Sequence, residues 1–211
     1  VVTVHDFGVA AGTRAFLVME RLYGVTLRDE LRRERRLPAD RVLAILRGVC
    51  AAVEAAHQRA LIHRDLKPDN IFLVRSETPD LAKVLDFGVA KFVSSDETQA
   101  TAETGRGVLV GTLQYMSPEQ LRGRPMQPGW DLWALTVGAY EMLVGAQPFP
   151  AASAAQWQGA VLAGQFAPVA ELAPAAPARW QQFFERAFAP EPAQRPDSAR
   201  SFFRDLERAL S

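Results

Sequence analysis

The chain has 211 residues, 48% of them hydrophobic and 23% charged, and its 24 Lys+Arg balance 24 Asp+Glu. That is an ordinary globular composition, long enough for one large domain or two small ones. A formal net charge of zero gives no general attraction for polyanions, so nucleic acid is not expected as a partner.

Residues 1–5 and 15–19 are short apolar runs flanking Gly8 and Gly12, a pattern that predicts two strands with a turn between them. Asp6-Phe7-Gly8 is read as strand end and turn. Residues 26–36 predict a helix, with Thr26 as N-cap and Asp29 and Glu30 in its first turns. Pro38-Ala39-Asp40 opens a second helix, in which Val42, Ile45, Leu46, Val49, Val53 and Ala56 recur at threes and fours as one apolar stripe. Cys50 lies in the same pattern and reads as a small buried hydrophobe. As the one cysteine it rules out a disulfide framework within the chain and any CxxC metal site, which fits a reducing, cytoplasmic location. His57, near the end of this helix, reads as a helix-end or packing residue.

Residues 61–70 read Leu-Ile-His-Arg-Asp-Leu-Lys-Pro-Asp-Asn. They put a carboxylate (Asp65), an ammonium (Lys67) and an amide (Asn70) on one short loop, stiffened by the fixed φ of Pro68. A second carboxylate follows in Lys83-Val84-Leu85-Asp86-Phe87-Gly88. Either aspartate alone is as well explained by capping or turning the chain. The ordered set points to chemistry instead.

Residues 71–74 and 81–85 form a hairpin-like pair. Residues 89–110 are rich in Ser, Thr, Glu and Gly without periodicity, as expected of a mobile loop. Nearly every residue from 132 to 144 is apolar, which predicts a helix buried all round, opened by Asp131 and ended by Gly145 and Pro148. A weaker helix is expected over 151–164 and another around Trp180, Phe183, Phe184 and Ala187. The last spans 197–210, with Phe202, Phe203, Leu206 and Leu210 facing inward. No apolar run reaches membrane-spanning length and no signal-peptide pattern opens the chain. An opening at Val1 rather than Met reads as a processed or trimmed piece of something longer.

The loop at 61–70 and the triplet at Asp86 resemble the catalytic loop and metal-binding triplet of the eukaryotic-like (Hanks-type) Ser/Thr protein kinases. The Met-Ser-Pro-Glu-Gln segment and the Ala/Arg/Pro-rich composition are similar to the bacterial branch. The resemblance implies an α+β protein-kinase-like fold, mostly α: a helical C-terminal lobe plus the last strands of the N-terminal lobe. It divides the chain into residues 1–24, the end of the small lobe and the hinge, and 25–211, the large lobe, with an activation segment at 86–119.

The resemblance also implies roles. Asp65 would accept and orient the substrate hydroxyl proton, Lys67 would offset charge on the moving phosphoryl group, and Asn70 and Asp86 would ligate Mg²⁺. ATP would meet Met19 at the gatekeeper position, the backbones of Glu20 and Leu22 at its adenine edge, and Phe72 under the ring. Met19 and Phe72 are equally at home as core residues. Arg64 would bind an activation-loop phosphate, with Thr98, Thr101 and Thr104 as candidate acceptors. Gly111-Thr112-Leu113-Gln114-Tyr115-Met116-Ser117-Pro118-Glu119 resembles the substrate-docking segment, with Ser-Pro-Glu where the family has mostly Ala-Pro-Glu. Thr112 would bond the catalytic loop. Glu119 and Arg195 would form a buried ion pair, and Asp131 would bond the catalytic-loop backbone, a role compatible with a plain N-cap.

Two family parts are absent from these residues. No lysine precedes Lys67, and Gly8 and Gly12 do not form GxGxxG, so the strand lysine and the glycine-rich loop over the phosphates are not in this chain. The expected activity is therefore transfer of the ATP γ-phosphoryl group to Ser or Thr of protein substrates by the complete domain, with the 211 residues alone inactive or nearly so. Two other readings stay open. One is a pseudokinase-like binding module without the ATP clamp. The other is a small-molecule phosphotransferase, against which Lys67-Pro68, the Thr112 segment and the Glu119–Arg195 pairing speak.

Overall fold

The structure is a computed structural model, and it describes residues 1–10, 14–75, 80–86 and 113–211. The chain opens with β1 (Val4–Ala10) and β2 (Arg14–Met19), an antiparallel pair. Asp6-Phe7-Gly8, expected as strand end and turn, lies inside β1 opposite Val18, Leu17 and Phe16. A strand is decided by its cross-strand partners as much as by local propensity, and here the partners override the Asp and Gly. Phe7 and Val9 on one face and Phe16 and Val18 on the other remain exposed.

A second sheet has the order β3 (Gly24–Thr26), β4 (Ile71–Val74), β5 (Leu81–Val84), antiparallel throughout. Of the short β3, Gly24 was expected in the hinge and Thr26 as a helix cap, and no strand was expected there. It forms because Gly24, at φ 154°, lets the backbones close up: a Cβ there would stand 2.0 Å from the Leu73 carbonyl oxygen. This sheet takes in residues on both sides of the expected boundary at 24/25.

Helix α1 (Leu27–Glu34) starts at Thr26, whose side chain accepts from the Asp29 amide. Helix α2 (Ala39–His57) buries Val42, Ile45, Leu46, Val49, Cys50, Val53 and Ala56, the stripe its periodicity predicts. Burial pushes the Cys50 thiol well above its ordinary range, so it is an inert packing group. After β5 come the short α3 (Pro118–Leu121), with Ser117 and Gln120 as a capping box, and α4 (Gly129–Val144). Every α4 residue from Asp131 to Val144 is buried. The helix ends at Gly145, whose φ of 80° is the left-handed conformation that favours glycine.

The remaining helices are α5 (Ala154–Ala163), α6 (Val169–Leu172), α7 (Ala178–Ala187) and α8 (Ala199–Leu210); α8 packs on α2, α7 on α4 and α8, α6 on α7 and α5 on α3. Their shared core is aromatic. Phe188 lies 5.1 Å from Trp133, 5.0 Å from Phe149 and 5.1 Å from Phe166, ring centre to ring centre, and stacks on Phe184. Tyr140 packs edge-on against Phe184, and its hydroxyl donates to the Ala167 carbonyl at 2.6 Å, so the one polar atom of that ring is satisfied.

Phe188 is 1% exposed and joins α4, α7 and the segment after Pro148. Phe188→Ala is expected to destabilise the protein by about 3–5 kcal/mol, read from urea denaturation with the midpoint lowered and the slope unchanged.

Candidate active site

Helix α2 delivers the chain into the loop at 61–70. The turn between them runs through Ala60 at φ 57°, and the Leu61 amide donates back to the Ala56 carbonyl at 3.0 Å. The loop is then caught by Asp131, 1% exposed in the first turn of α4. Its carboxylate accepts from the His63 amide at 2.9 Å, the Arg64 amide at 3.0 Å and His57 Nε2 at 2.8 Å. Arg64 sits at φ 70°, a strained conformation for a side chain with a Cβ, and two bonds to one buried carboxylate hold it there.

His63 is fully buried. Its Nε2 lies 2.7 Å from the Leu85 carbonyl oxygen, and the Asp65 amide lies 3.4 Å from its Nδ1. A carbonyl only accepts and an amide only donates, so the tautomer carrying hydrogen on Nε2 satisfies both contacts. His63 thereby ties the backbone of Asp65 to the residue before Asp86. The Leu85 amide donates to the Asn70 carbonyl at 2.9 Å, a second tie between the same two stretches.

Lys67 Nζ reaches both oxygens of Asp65, at 2.9 and 3.2 Å. Asn70, in a 3₁₀ turn over Pro68–Asn70, donates from Nδ2 to the Asp65 carbonyl at 2.8 Å and to its Oδ2 at 3.3 Å. Both Asn70 side-chain bonds among the described residues use Nδ2, so Oδ1 is the atom with which it can face a cation. Asp86 follows β5, exposed and at φ 50°. Among the described residues no cluster of three or more His, Cys, Asp or Glu could hold a metal ion. Asn70 Oδ1 on the loop and the Asp86 carboxylate after β5 are oxygen donors of the kind that suits Mg²⁺.

In the first sheet, Met19 ends β2 and is 39% exposed. The Glu20 amide is committed to the Thr3 carbonyl at 2.9 Å, which leaves its carbonyl as the group it can offer a ligand. Leu22 and Phe72 are half-buried, Phe72 in β4 between Thr26 and Lys83. The Glu20 carboxylate accepts from Lys83 Nζ at 2.5 Å and from the Thr3 amide at 2.7 Å. The bond from Lys83 first, and then that from Thr3, push the Glu20 carboxyl down to about 2.

Known proteins match the chain over nearly its whole length. A family model described as the protein kinase domain matches residues 1–205. The chain belongs to the protein kinase family. The Serine/threonine-protein kinase pkn3 of Myxococcus xanthus is 39% identical over 210 residues, covering 98% of this chain and 38% of that protein. PknB of Mycobacterium leprae is 36% identical over 152 residues, covering 71% of this chain and 23% of that protein. The chain thus spans well under half the length of these curated relatives. Among solved structures, the kinase domain of Mycobacterium tuberculosis PknI superposes with a TM-score of 0.72 at 26% identity, over 99% of this chain and 71% of that one. Rad53 in complex with AMP-PNP gives a TM-score of 0.79 at 23% identity, which speaks for the fold alone.

Away from the kinase loop, Glu119 in α3 and Arg195 meet as a bidentate pair, both contacts 3.0 Å and both side chains buried. Arg195 also donates to the Ala189 and Pro190 carbonyls and lies over the Trp133 ring, 4.8 Å from its centre. Thr112, Thr98, Thr101 and Thr104 lie outside the described residues. His57 stands in the last turn of α2, as its reading as a helix-end or packing residue expects, while its bond to Asp131 and the place of His63 are not legible in the sequence. Their partners, Asp131 and Leu85, lie 74 and 22 residues away, beyond any local pattern.

Two outcomes follow for the kinase chain. Glu119→Ala leaves the Arg195 guanidinium buried with only carbonyls to face, and a loss of about 3–5 kcal/mol is expected in chemical denaturation, with Arg195→Met partly restoring stability in the double variant. A carboxyl pushed down contributes stability above its ordinary value of 4.5, and that contribution disappears as pH falls through about 2. In a carboxyl NMR titration Lys83→Met should therefore move Glu20 back up toward 4.5.

Proposed function

We propose that the protein containing this chain transfers the γ-phosphoryl group of Mg·ATP to serine or threonine hydroxyls of protein substrates. The observation that carries the reading is the Asp65 carboxylate. It is one-third exposed and fixed between Lys67 and Asn70, on a loop anchored through Asp131 to the buried helix α4. Phosphoryl transfer asks the protein for placement and charge compensation more than for covalent work. Asp65 orients the substrate hydroxyl and accepts its proton. Lys67 offsets charge on the transferred group. Asn70 and Asp86 would hold Mg²⁺, which when bound neutralises phosphate charge. Met19, the Glu20 carbonyl, Leu22 and Phe72 form the adenine side, and Arg64 and Thr112 serve the activation and substrate-docking segments.

The strand lysine and glycine-rich loop of the family do not occur in these 211 residues, so this stretch by itself transfers little phosphate. The same observation favours the second reading, a binding module without catalysis. The geometry at Asp65 favours the first, because a scaffold has no use for a lysine and an asparagine closed on one carboxylate. We place the activity in the cytoplasm, where ATP is abundant. Zero net charge argues against a nucleic-acid partner, and among the described residues no helix is long and apolar enough to cross a membrane.

The deciding experiment follows labelled phosphate from ATP into a Ser/Thr-containing protein, using the full-length gene product with Mg²⁺. Incorporation is expected, falling by about 10²–10⁴-fold in Asp65→Asn. Transfer indifferent to Asp65→Asn, or labelling of sugars or antibiotics and no peptide, would overturn the proposal.

A further inference from the structure

Beside Asp65, Lys67 and Asn70, a second, half-buried cluster is gathered by Arg28. Arg28, in the first turn of α1, donates from Nη1 to Glu141 Oε1 at 2.5 Å, from Nη2 to the Tyr115 hydroxyl at 2.5 Å, and from Nε to Asp69 Oδ2 at 3.3 Å. The Tyr115 hydroxyl in turn donates to Glu141 Oε2 and accepts from Gln147 Nε2 at 3.2 Å. The side chains of Arg28 and Glu141 are 18% and 12% exposed, and that of Asp69 is 47% exposed. Burial, and then the Glu141 charge, push the Tyr115 hydroxyl well above its ordinary range, so it remains an O–H donor.

The arrangement joins three parts that chain order keeps far apart. Asp69 belongs to the 3₁₀ turn that also carries Asn70, four residues beyond Asp65. Tyr115 belongs to the 3₁₀ turn Leu113–Tyr115 that leads into α3, and Glu141 belongs to buried α4. Only a planar fork with several donors reaches all three acceptors at once, which is why the residue is arginine. Its single positive charge faces two carboxylates, so the cluster keeps a net negative charge and Arg28 has reason to stay in place.

We propose that Arg28 is a positioning residue for the segment at 113–121. It locks Tyr115 to α4 and to the turn that bears Asp69, and so sets where a protein substrate lies relative to Asp65. The proposal rests on the kinase reading above, in which this segment docks the substrate. A plain stabilising ion pair would act on the whole fold. A positioning residue acts on the register between the docking segment and the catalytic loop, where a displacement of about 1 Å weakens productive binding severely.

The test uses the full-length protein with Arg28→Ala, Arg28→Lys and Tyr115→Phe. In peptide phosphorylation, Arg28→Ala should raise KM for the peptide roughly tenfold with KM for ATP nearly unchanged, and Arg28→Lys, which keeps the charge and loses the fork, should recover part of the loss. Tyr115→Phe should reproduce the rise, and combined with Arg28→Lys it should give less than the product of the two effects. Amide hydrogen exchange gives a readout independent of activity. Exchange at Met116 and Leu121, which donate to Leu113 and Ser117, should quicken about tenfold or more in Arg28→Ala, with α2 and α4 unchanged. Unchanged peptide KM, a fall in kcat alone, or exchange that rises evenly over the whole fold would each overturn the proposal. If the wild-type protein transfers no phosphate, the kinase reading fails, and local versus global exchange then decides the positioning claim alone. Should Arg28→Ala not fold, the Lys and Phe variants carry the same comparisons.

Discussion

A single buried carboxylate governs the site. Asp131 accepts from two successive loop amides and from His57, and one of those amides belongs to Arg64 at φ 70°. That conformation costs of order 1–2 kcal/mol for a residue with a Cβ. Hydrogen bonds to a charged acceptor inside the protein are strong enough to offset it. Because Asp131 belongs to a helix buried along nearly its whole length, the loop inherits the rigidity of the core.

The charged clusters differ in burial, and their roles follow from it. Glu119–Arg195 is closed off from water and also uses the Ala189 and Pro190 carbonyls, so it fixes how α3 meets the segment before α8. Such a pair is chiefly a device of geometry, since desolvation takes back most of its Coulomb energy. The Arg28 cluster is half-buried and links α1 to α4 and to the turns at 68–70 and 113–115. Asp65, at 34%, is more open to solvent than its partner Lys67, at 16%. Access to solvent thus rises from the core outward to Asp65.

Much of this was legible in residue order. The α2 stripe, the all-apolar α4, the Thr26 cap and the Gly145 stop are local signals, and each element formed where its signal lay, except that α4 begins at Gly129, ahead of the Asp131 expected to open it. The errors were also physical. Asp6-Phe7-Gly8 has turn-like residues, yet its cross-strand neighbours in β2 make it a strand. The three-residue β3 has no periodicity to detect and exists because Gly24 lets it approach β4. His57 is the helix-end histidine its position predicts, and only its bond to Asp131 lay beyond local pattern.

The order of residues alone determined which groups are present for the chemistry, and roughly where. Asp65, Lys67 and Asn70 lie within six residues of one another, and a stretch that short keeps its groups together in any fold. What holds them was decided only by tertiary structure. The amides of His63 and Arg64 find their acceptor 68 and 67 residues away, and Arg28 finds Glu141 across 113. Contacts of that span follow from how buried helices pack, and no local pattern encodes them.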